Sequence, residues 1–321
     1  MLPQTSLQLR EYEMALAHTP VLLDELLELL RPAKGEVAID CTFGAGGHAE
    51  AVAAALGAKG RLIAIDRDPS VAEYFRDVAR ATRCACELYH GNFAEVLAER
   101  DDASADIIYM DLGVSSMQLD RRERGFSYAY DAPLDMRMDP ESEVTAAQLV
   151  NTLPESELTD IFRRYGEERY AKSIARGISM ARRKQPLTTT CELVEIIKRN
   201  IPTPARFAAG NPARRVFQAL RIVVNDELQS LARGLEEAYR VLRPGGRLAG
   251  MSFHSLEDRM VKEFFRGHAA GCICPPGLPQ CVCGHEPMLR VLTRRPITPR
   301  AQEVEANPRS KSAKLRVAVK L

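Results

Sequence analysis

The apolar positions of this chain fall into two regimes. Up to residue 111, short apolar runs alternate with helical stretches. The runs are Val37-Ala38-Ile39, Leu62-Ile63-Ala64-Ile65, a weaker one near 86–90, and Ile107-Ile108-Tyr109-Met110. Runs this short, closed by glycines or acids, predict strands near 36–40, 61–66, 86–90 and 106–110. Ala49 to Leu56 predicts a helix between the first two, broken by Gly60. An earlier helix opens at His18-Thr19-Pro20, with Thr19 as N-cap and Pro20 at its first position. Leu22, Leu23, Leu26, Leu27, Leu29 and Leu30 give that helix a broad apolar face.

From about Leu119 to Asn211 the strand signal stops. Helical periodicity covers 146–149, 155–165, 170–183 and 191–200, and Ile201-Pro202-Thr203-Pro204 breaks the last of these. A long helix runs from Arg214 toward Leu242, and strand signals return at 247–252 and 315–319. Regular strand–helix alternation predicts an α/β fold with a parallel sheet covered by helices. The economical architecture is a Rossmann-like, doubly wound domain in two parts, 1–118 and 213–321. A small helical domain, 119–212, interrupts it after the fourth strand.

Candidate chemistry sits where the first two strands end. Asp40-Cys41-Thr42-Phe43-Gly44-Ala45-Gly46-Gly47-His48 follows the first run, and Asp66 closes the second. Glycines let the backbone approach a ligand, and a helix start presents N–H groups with no partner in the helix. An acid about 20 residues past the glycines is placed to hold the two hydroxyls of a ribose. The unit therefore predicts an adenosine-containing cofactor. Gly44, Gly46 and Ala49 satisfy the loose dinucleotide pattern, but Asp40 would repel a pyrophosphate and suits an ammonium group. Leu242-Arg243-Pro244-Gly245-Gly246-Arg247-Leu248 reads as a helix end, a turn and a new strand, and resembles the turn before the fifth strand of class I methyltransferases. S-adenosylmethionine, which carries an ammonium and no phosphate, is favoured over NAD.

Composition narrows the setting. The 321 residues can bury a sizeable core in one or two domains. No run of about 18 apolar residues predicts a membrane span. A polar N-terminus lacks a secretory apolar region, and eight cysteines without one point to a reducing, cytoplasmic compartment. The net charge is +1, but its distribution is uneven. Lys198 to Arg221 holds six basic residues and no acidic one, and 286–321 holds nine basic and three acidic. Such segments favour a phosphate-bearing partner, although each alone is equally consistent with a solvated helix face.

Several motifs in order carry a more specific resemblance. They are His18-Thr19-Pro20-Val21-Leu22-Leu23-Asp24-Glu25, the Asp40–His48 stretch, Ala64-Ile65-Asp66-Arg67-Asp68-Pro69 and Asp111-Leu112-Gly113-Val114-Ser115-Ser116. Glu123-Arg124-Gly125-Phe126-Ser127, Leu134-Asp135-Met136-Arg137-Met138-Asp139, the 213–221 stretch and Ser252-Phe253-His254-Ser255-Leu256-Glu257-Asp258-Arg259 follow. The chain resembles the bacterial ribosomal RNA small subunit methyltransferase H family, also called MraW. That resemblance implies a class I S-adenosylmethionine-dependent fold with an inserted helical, substrate-recognising domain. It implies methylation of the exocyclic N4 of a cytidine in the decoding region of 16S ribosomal RNA, with the small ribosomal subunit as partner. It assigns cofactor binding to Gly46, Gly47, His48, Asp66, Phe93, Asp111 and Gln118. Oligomeric state is not specified, and a homodimer stays open.

The residues themselves support these assignments unevenly. Gly46 and Gly47 expose backbone N–H groups suited to a carboxylate, and Asp66 suits ribose hydroxyls. Phe93 is placed either against an adenine or in the core, and His48 either bonds the cofactor or caps the turn. Asp111, ending the fourth strand, is the candidate catalytic residue, with Ser115, Ser116, His254 and Asp258 as secondary ones. Cytosine N4 is conjugated into its ring and needs an acceptor that orients its lone pair and stabilises developing charge. Cys272-Ile273-Cys274 and Cys281-Val282-Cys283 form C-x-C-x6-C-x-C around three prolines. This is tighter than the usual C-x2-C zinc knuckle, so a surface loop is the expected reading and no metal is assigned. A nicotinamide oxidoreductase and a non-catalytic RNA-binding or assembly protein are the alternative classes.

Overall fold

The computed structural model describes residues 20–206, 212–272, 274 and 283–321. The expected cap Thr19, the expected boundary Asn211, and Cys281 lie outside them. The chain divides into two compact units, Met1–Gly113 with Gln229–Leu321, and Val114–Leu228.

The first unit begins with α1 (Leu23–Leu30) and β1 (Val37–Asp40), followed by α2 (Gly47–Leu56), β2 (Arg61–Asp66) and α3 (Ala72–Ala81). Next come β3 (Ala85–His90), α4 (Phe93–Ala98) and β4 (Ala105–Asp111). The second unit is built on α5 (Ser116–Asp120), α6 (Ala146–Thr152), α7 (Glu155–Arg164), α8 (Ala171–Arg182), α9 (Thr190–Arg199), α10 (Thr203–Arg206) and α11 (Pro212–Val224). The chain then returns through α12 (Glu227–Val241), β5 (Leu242–Ser252), α13 (Ser255–His268), β6 (Leu289–Val291), α14 (Ala301–Ala306) and β7 (Lys314–Lys320). No helix among the described residues is long and apolar enough to cross a membrane.

The strands form a seven-stranded sheet in the order β3-β2-β1-β4-β5-β7-β6. β3, β2, β1, β4 and β5 are parallel, and β7 runs antiparallel between β5 and β6. This is the expected class I, Rossmann-like sheet. Its inner strands read as continuous apolar runs because both faces are covered. Ile39, Ile65, Ile108 and Leu248 are fully buried in the core, together with Leu97 and Ala238. Strand order reverses between β1 and β4, where ligands of such sheets bind at the strands' C-terminal ends.

Two expectations change. The segment around Pro244 is not a turn ahead of a strand. β5 starts at Leu242, opposite Ala105, and its next partner pair is Ile107 with Arg247. Residues 243–246 therefore bulge out of the strand, with Gly245 at φ 79°. The helix from Arg214 is also broken: α11 ends at Val224 and α12 starts at Glu227, with Asp226 at φ 48° between them. Strand β6, three residues long, gave no period to read.

The helical unit packs α6 to α9 and α11 around Phe162, Ile174, Ile178, Ile197 and Leu220, all fully buried. Its motif residues are stitching. Asn225 takes the Met138 N–H at 2.7 Å and donates to Met136 O at 2.8 Å. Arg124 donates to Arg137 O and Met138 O, and Arg137 pairs with Asp135. Gly125, at φ 70°, has no room for a side chain, since a Cβ would lie 2.2 Å from Pro133 O. An isolated bridge, Pro133 with Thr189, also ties this loop region to the start of α9.

In the sheet unit α12 approaches Phe93 closely at Gly234. A Cβ on Gly234 would lie 2.1 Å from the Phe93 ring. Gly234→Ala is therefore expected to lower stability by about 1–3 kcal/mol through overpacking. Thermal unfolding measures it, and Phe93→Leu added to that variant should recover part of the loss. An unchanged midpoint in the single variant would contradict the packing.

Candidate functional site

The C-terminal ends of β1, β2 and β4 each carry an aspartate: Asp40, Asp66 and Asp111. The loop that leaves β1 stitches them together. Cys41 N–H donates to Tyr109 O at 2.9 Å, and Phe43 N–H to Ile65 O at 3.0 Å. Thr42 N–H donates to Asp40 Oδ1 (3.0 Å), Gly44 N–H to Asp66 Oδ2 (2.7 Å), and Asp111 N–H to the Thr42 hydroxyl (2.6 Å). One short loop therefore reaches three strand ends, so their spacing is set by backbone bonds.

The glycine turn follows. Gly44 and Gly46 have φ 54° and 82°, the left-handed region that glycine adopts without strain. Gly46 also lies against Phe43, and Gly47 against Pro20, where a Cβ would fall 2.6 Å and 2.4 Å away. The Gly46 N–H is used by Phe43 O at 2.9 Å. The donors facing outward at the start of α2 are therefore the first ones of the helix, on Gly47 and His48.

The three carboxylates differ in access. Asp40 is only 1% exposed. Burial pushes its carboxyl up to about 7, against the bond from Thr42. The sequence placed Asp40 to meet an ammonium directly, but the structure encloses it. Asp66 accepts from Gly44 and from Asp68 N–H (2.9 Å), and burial raises its pKa. The Arg67 backbone N–H also bonds it, and a carboxylate has about four lone-pair directions, so acceptor capacity remains for a hydroxyl donor.

Asp111 retains 29% of its side-chain surface. Its Oδ1 is out of contact with solvent and has no hydrogen-bond partner. Burial first, then the Glu257 charge, push its carboxyl up to about 7. Oδ2 stands 3.6 Å from His48 Nδ1. His48 Nε2 is 2.9 Å from Val21 O, and a carbonyl can only accept, so Nε2 carries a hydrogen. Burial lowers the His48 pKa and keeps the ring neutral. Its Nδ1 lone pair therefore faces Asp111, whose raised carboxyl is only partly protonated near neutral pH. His48 is neither a cap nor exposed; it positions Asp111 against the chain at Val21.

The remaining predicted residues have local structural roles. Phe93 starts α4 behind the N-cap Asn92, and its ring packs into the core against Gly234. Ser115 and Gln118 belong to the helical unit, where they form a capping box on α5. His254 is the N-cap of α13, with Glu257 closing that box. Asp258 holds Arg316 (2.7 Å) and Lys314 (3.0 Å) on β7, and its pKa is lowered by them. It is a structural ion pair and not a base. Sequence reasoning missed Thr42 and Tyr109. The Tyr109 hydroxyl is buried beside the Asp40 carboxyl. A tyrosine inside an otherwise apolar strand needs a partner for its hydroxyl, which was the available signal.

The basic segments also thin out. Arg221 pairs with Glu227 at 2.7 Å, Lys198 with Glu195, and Arg215 with the buried Glu168 at 3.8 Å. Lys320 donates to Tyr239 O and Leu242 O. Arg199, Arg214, Arg294 and Arg295 are exposed.

Residues 15–321 match the family model described as the MraW methylase family. A ribosomal RNA small subunit methyltransferase H from Symbiobacterium thermophilum is 52% identical, covering 96% of this chain and 98% of the relative. The proteins of the same name from Heliobacterium modesticaldum and Geobacter sulfurreducens are 49% and 51% identical, each covering 96% of this chain and 100% of the relative. The chain belongs to the MraW methylase family.

The raised carboxyl of Asp111 sets a pH dependence. Its pKa is 3.8 ordinarily and about 7 when folded. Between those values the folded chain binds more protons than the unfolded one, so stability falls as pH rises through that window. Asp111→Asn removes the titration. The ligand-free variant should gain stability over the parent at about pH 8 and gain less at about pH 5. Equal differences at both would show that Asp111 does not titrate there.

Proposed function

We propose that this MraW methylase transfers a methyl group from S-adenosylmethionine to the exocyclic N4 of a cytidine in the decoding region of 16S ribosomal RNA. The substrate is the small ribosomal subunit, assembled or nearly so, which places the reaction in the cytoplasm. The observation that carries the reading is Asp111 Oδ1, a buried acceptor without a donor, at the sheet's reversal point beside the glycine turn. Such an acceptor calls for an N–H-bearing ligand.

The residues present fit the cofactor. Asp66 has lone pairs left for ribose hydroxyls, and the N–H groups of Gly47 and His48 suit a carboxylate. Asp40 and Asp111 place two acids where a ligand ammonium would lower both of their raised pKa values. Gly46 acts through the shape of the turn, Phe93 through its packing in the core against Gly234, and Gln118 by fixing Ser115 at the start of α5. S-adenosylmethionine supplies an electrophilic methyl group on a sulfonium.

The protein's own part concerns the amine. Cytosine N4 is a poor nucleophile because its lone pair is conjugated with the ring. An N–H bond to the Asp111 carboxylate turns that lone pair out of conjugation and stabilises the positive charge that develops on nitrogen. Asp111, with His48 Nδ1 behind it, then has room for the proton that the methylated amine gives up. N4 is engaged in pairing inside a helix, so the target base must be unstacked or single-stranded. The exposed Arg199 and Arg214 of the helical unit supply phosphate contacts, which gives that unit a substrate-recognising role. A non-catalytic RNA-binding protein on the same fold is the reading that labelled-methyl transfer would separate.

Four outcomes test the assignment. Small subunits should accept labelled methyl groups far better than free ribosomal RNA or a short cytidine strand, and nucleosides from cells lacking the protein should lose N4-methylation at one position. Equal transfer to all three substrates would refute the subunit as substrate. Asp111→Ala should lower single-turnover transfer by about 10²–10³-fold with RNA binding retained. Asp66→Ala should weaken cofactor binding by roughly tenfold or more, which calorimetry reads.

Arg199→Glu with Arg214→Glu should weaken RNA binding and flatten its salt dependence, because fewer counterions are released. This pair leaves the Arg215–Glu168 ion pair intact. Unchanged binding in the folded variant would remove these arginines from the interface.

A further inference from the structure

A second cluster of chemically capable side chains lies outside the carboxylate site. Cys272, Cys274 and Cys283 bring their Sγ atoms within 4.8 Å of one another. Cys272 and Cys283 are 3.8 Å apart, sulfur to sulfur. A disulfide needs about 2.0 Å. A tetrahedral zinc site with Zn–S bonds of about 2.3 Å spaces its sulfurs by about 3.8 Å, the edge of that tetrahedron. Two thiols in simple contact reach a similar distance. A third converging on both, from a C-x-C pair and a cysteine nine residues further on, is what a single ion organises.

The surrounding backbone gives a reason for such an ion. Met288 N–H donates to His268 O at 2.7 Å, so the chain leaves and re-enters the sheet unit at one neck. Residues 269–287 lie between. Loops longer than about 12–15 residues are uncommon unless something holds them. This one carries four prolines and few large apolar side chains. A bound ion contributes folding energy directly in such a segment. The neck joins the end of α13, whose start carries Asp258 and Glu257, to β6 at the sheet edge.

We propose that Cys272, Cys274 and Cys283 bind a single zinc ion that fixes this loop. Each thiol releases its proton to water on binding. Thiolates without hard oxygen donors select zinc over magnesium or calcium. In sequence, Cys281 is the fourth thiol of C-x-C-x6-C-x-C. It lies outside the described residues, and the proposal rests on the other three. The C-x-C spacing alone favoured a plain surface loop, because spacing cannot show that Cys283 returns to the first pair.

The test uses the full chain, purified under reductant and incubated with zinc before gel filtration. Elemental analysis should find about one zinc per chain. Cys272→Ser with Cys283→Ser should reduce it at least tenfold while the far-ultraviolet dichroism of the parent is kept. Cobalt in place of zinc should give the visible bands and thiolate charge transfer of a tetrahedral sulfur site. Alkylation mapped by mass spectrometry keeps the question open to decision even where the variant fails to fold. In the parent, Cys272, Cys274 and Cys283 should be protected and lose protection on chelation. Zinc near background, full zinc in the double variant, equal alkylation with and without chelator, or iron with labile sulfide in its place would each overturn the proposal.

Discussion

Acids at the ends of neighbouring parallel strands repel one another and lose hydration, and the sheet unit holds three of them. Asp40, Asp66 and Asp111 end β1, β2 and β4, with no basic side chain bonded to any of them among the described residues. Charge burial of this kind is expensive unless bonds or protons offset it. Here the offset comes from two sources. Backbone N–H groups of Thr42, Gly44 and Asp68 bond Asp40 and Asp66. Asp40 and Asp111 are also pushed toward protonation near neutral pH.

Much of the local structure follows from supplying those donors. The loop after β1 must send successive N–H groups to different strand ends, which requires the left-handed turns at Gly44 and Gly46. Those turns bring α2 in so that Gly47 lies against Pro20 and His48 lies between Val21 and Asp111. His48 cannot neutralise Asp111 as a cation, because burial disfavours its charge. The arrangement leaves Asp111 Oδ1 as an unmet acceptor, a cost the fold carries in its most constrained region. Sites of this kind are where local rules of stability are broken for function.

The sheet and its acids were legible in the sequence because their signals are local. Short apolar runs closed by Asp40, Asp66 and Asp111 mark parallel strands and their ligand-facing ends without knowledge of the rest of the chain. The helical stretch between them was legible by its period. What could not be read is set by partners distant in sequence. Asp258 looks like an active-site acid in its motif, yet Arg316 and Lys314, 58 and 56 residues away, make it an ion pair. Gly46 and Gly47 look like ligand-contacting glycines, yet Phe43, Val78 and Pro20 account for their missing side chains. The Pro244 turn became a bulge because β4 pairs on both sides of it. Arg221 looked like part of a basic face until Glu227, across the break at Asp226, was seen to hold it.

The same reasoning separates positions that serve the site directly from those that serve it through packing. Asp40 lies beneath a closed surface, enclosed and already bonded by Thr42. Asp66 and Asp111 have both lone pairs and access, so they alone among the three acids can bond a ligand. Of these two, Asp66 is held on both oxygens by backbone donors and keeps a fixed orientation. Among the described residues Asp111 is held on neither oxygen by a donor, and the His48 lone-pair nitrogen stands 3.6 Å away. It can therefore exchange a proton for a ligand N–H with little rearrangement. Under the proposed function, that difference in restraint gives Asp66 the anchoring role and Asp111 the reactive one, although both end strands of the same sheet, one on either side of β1.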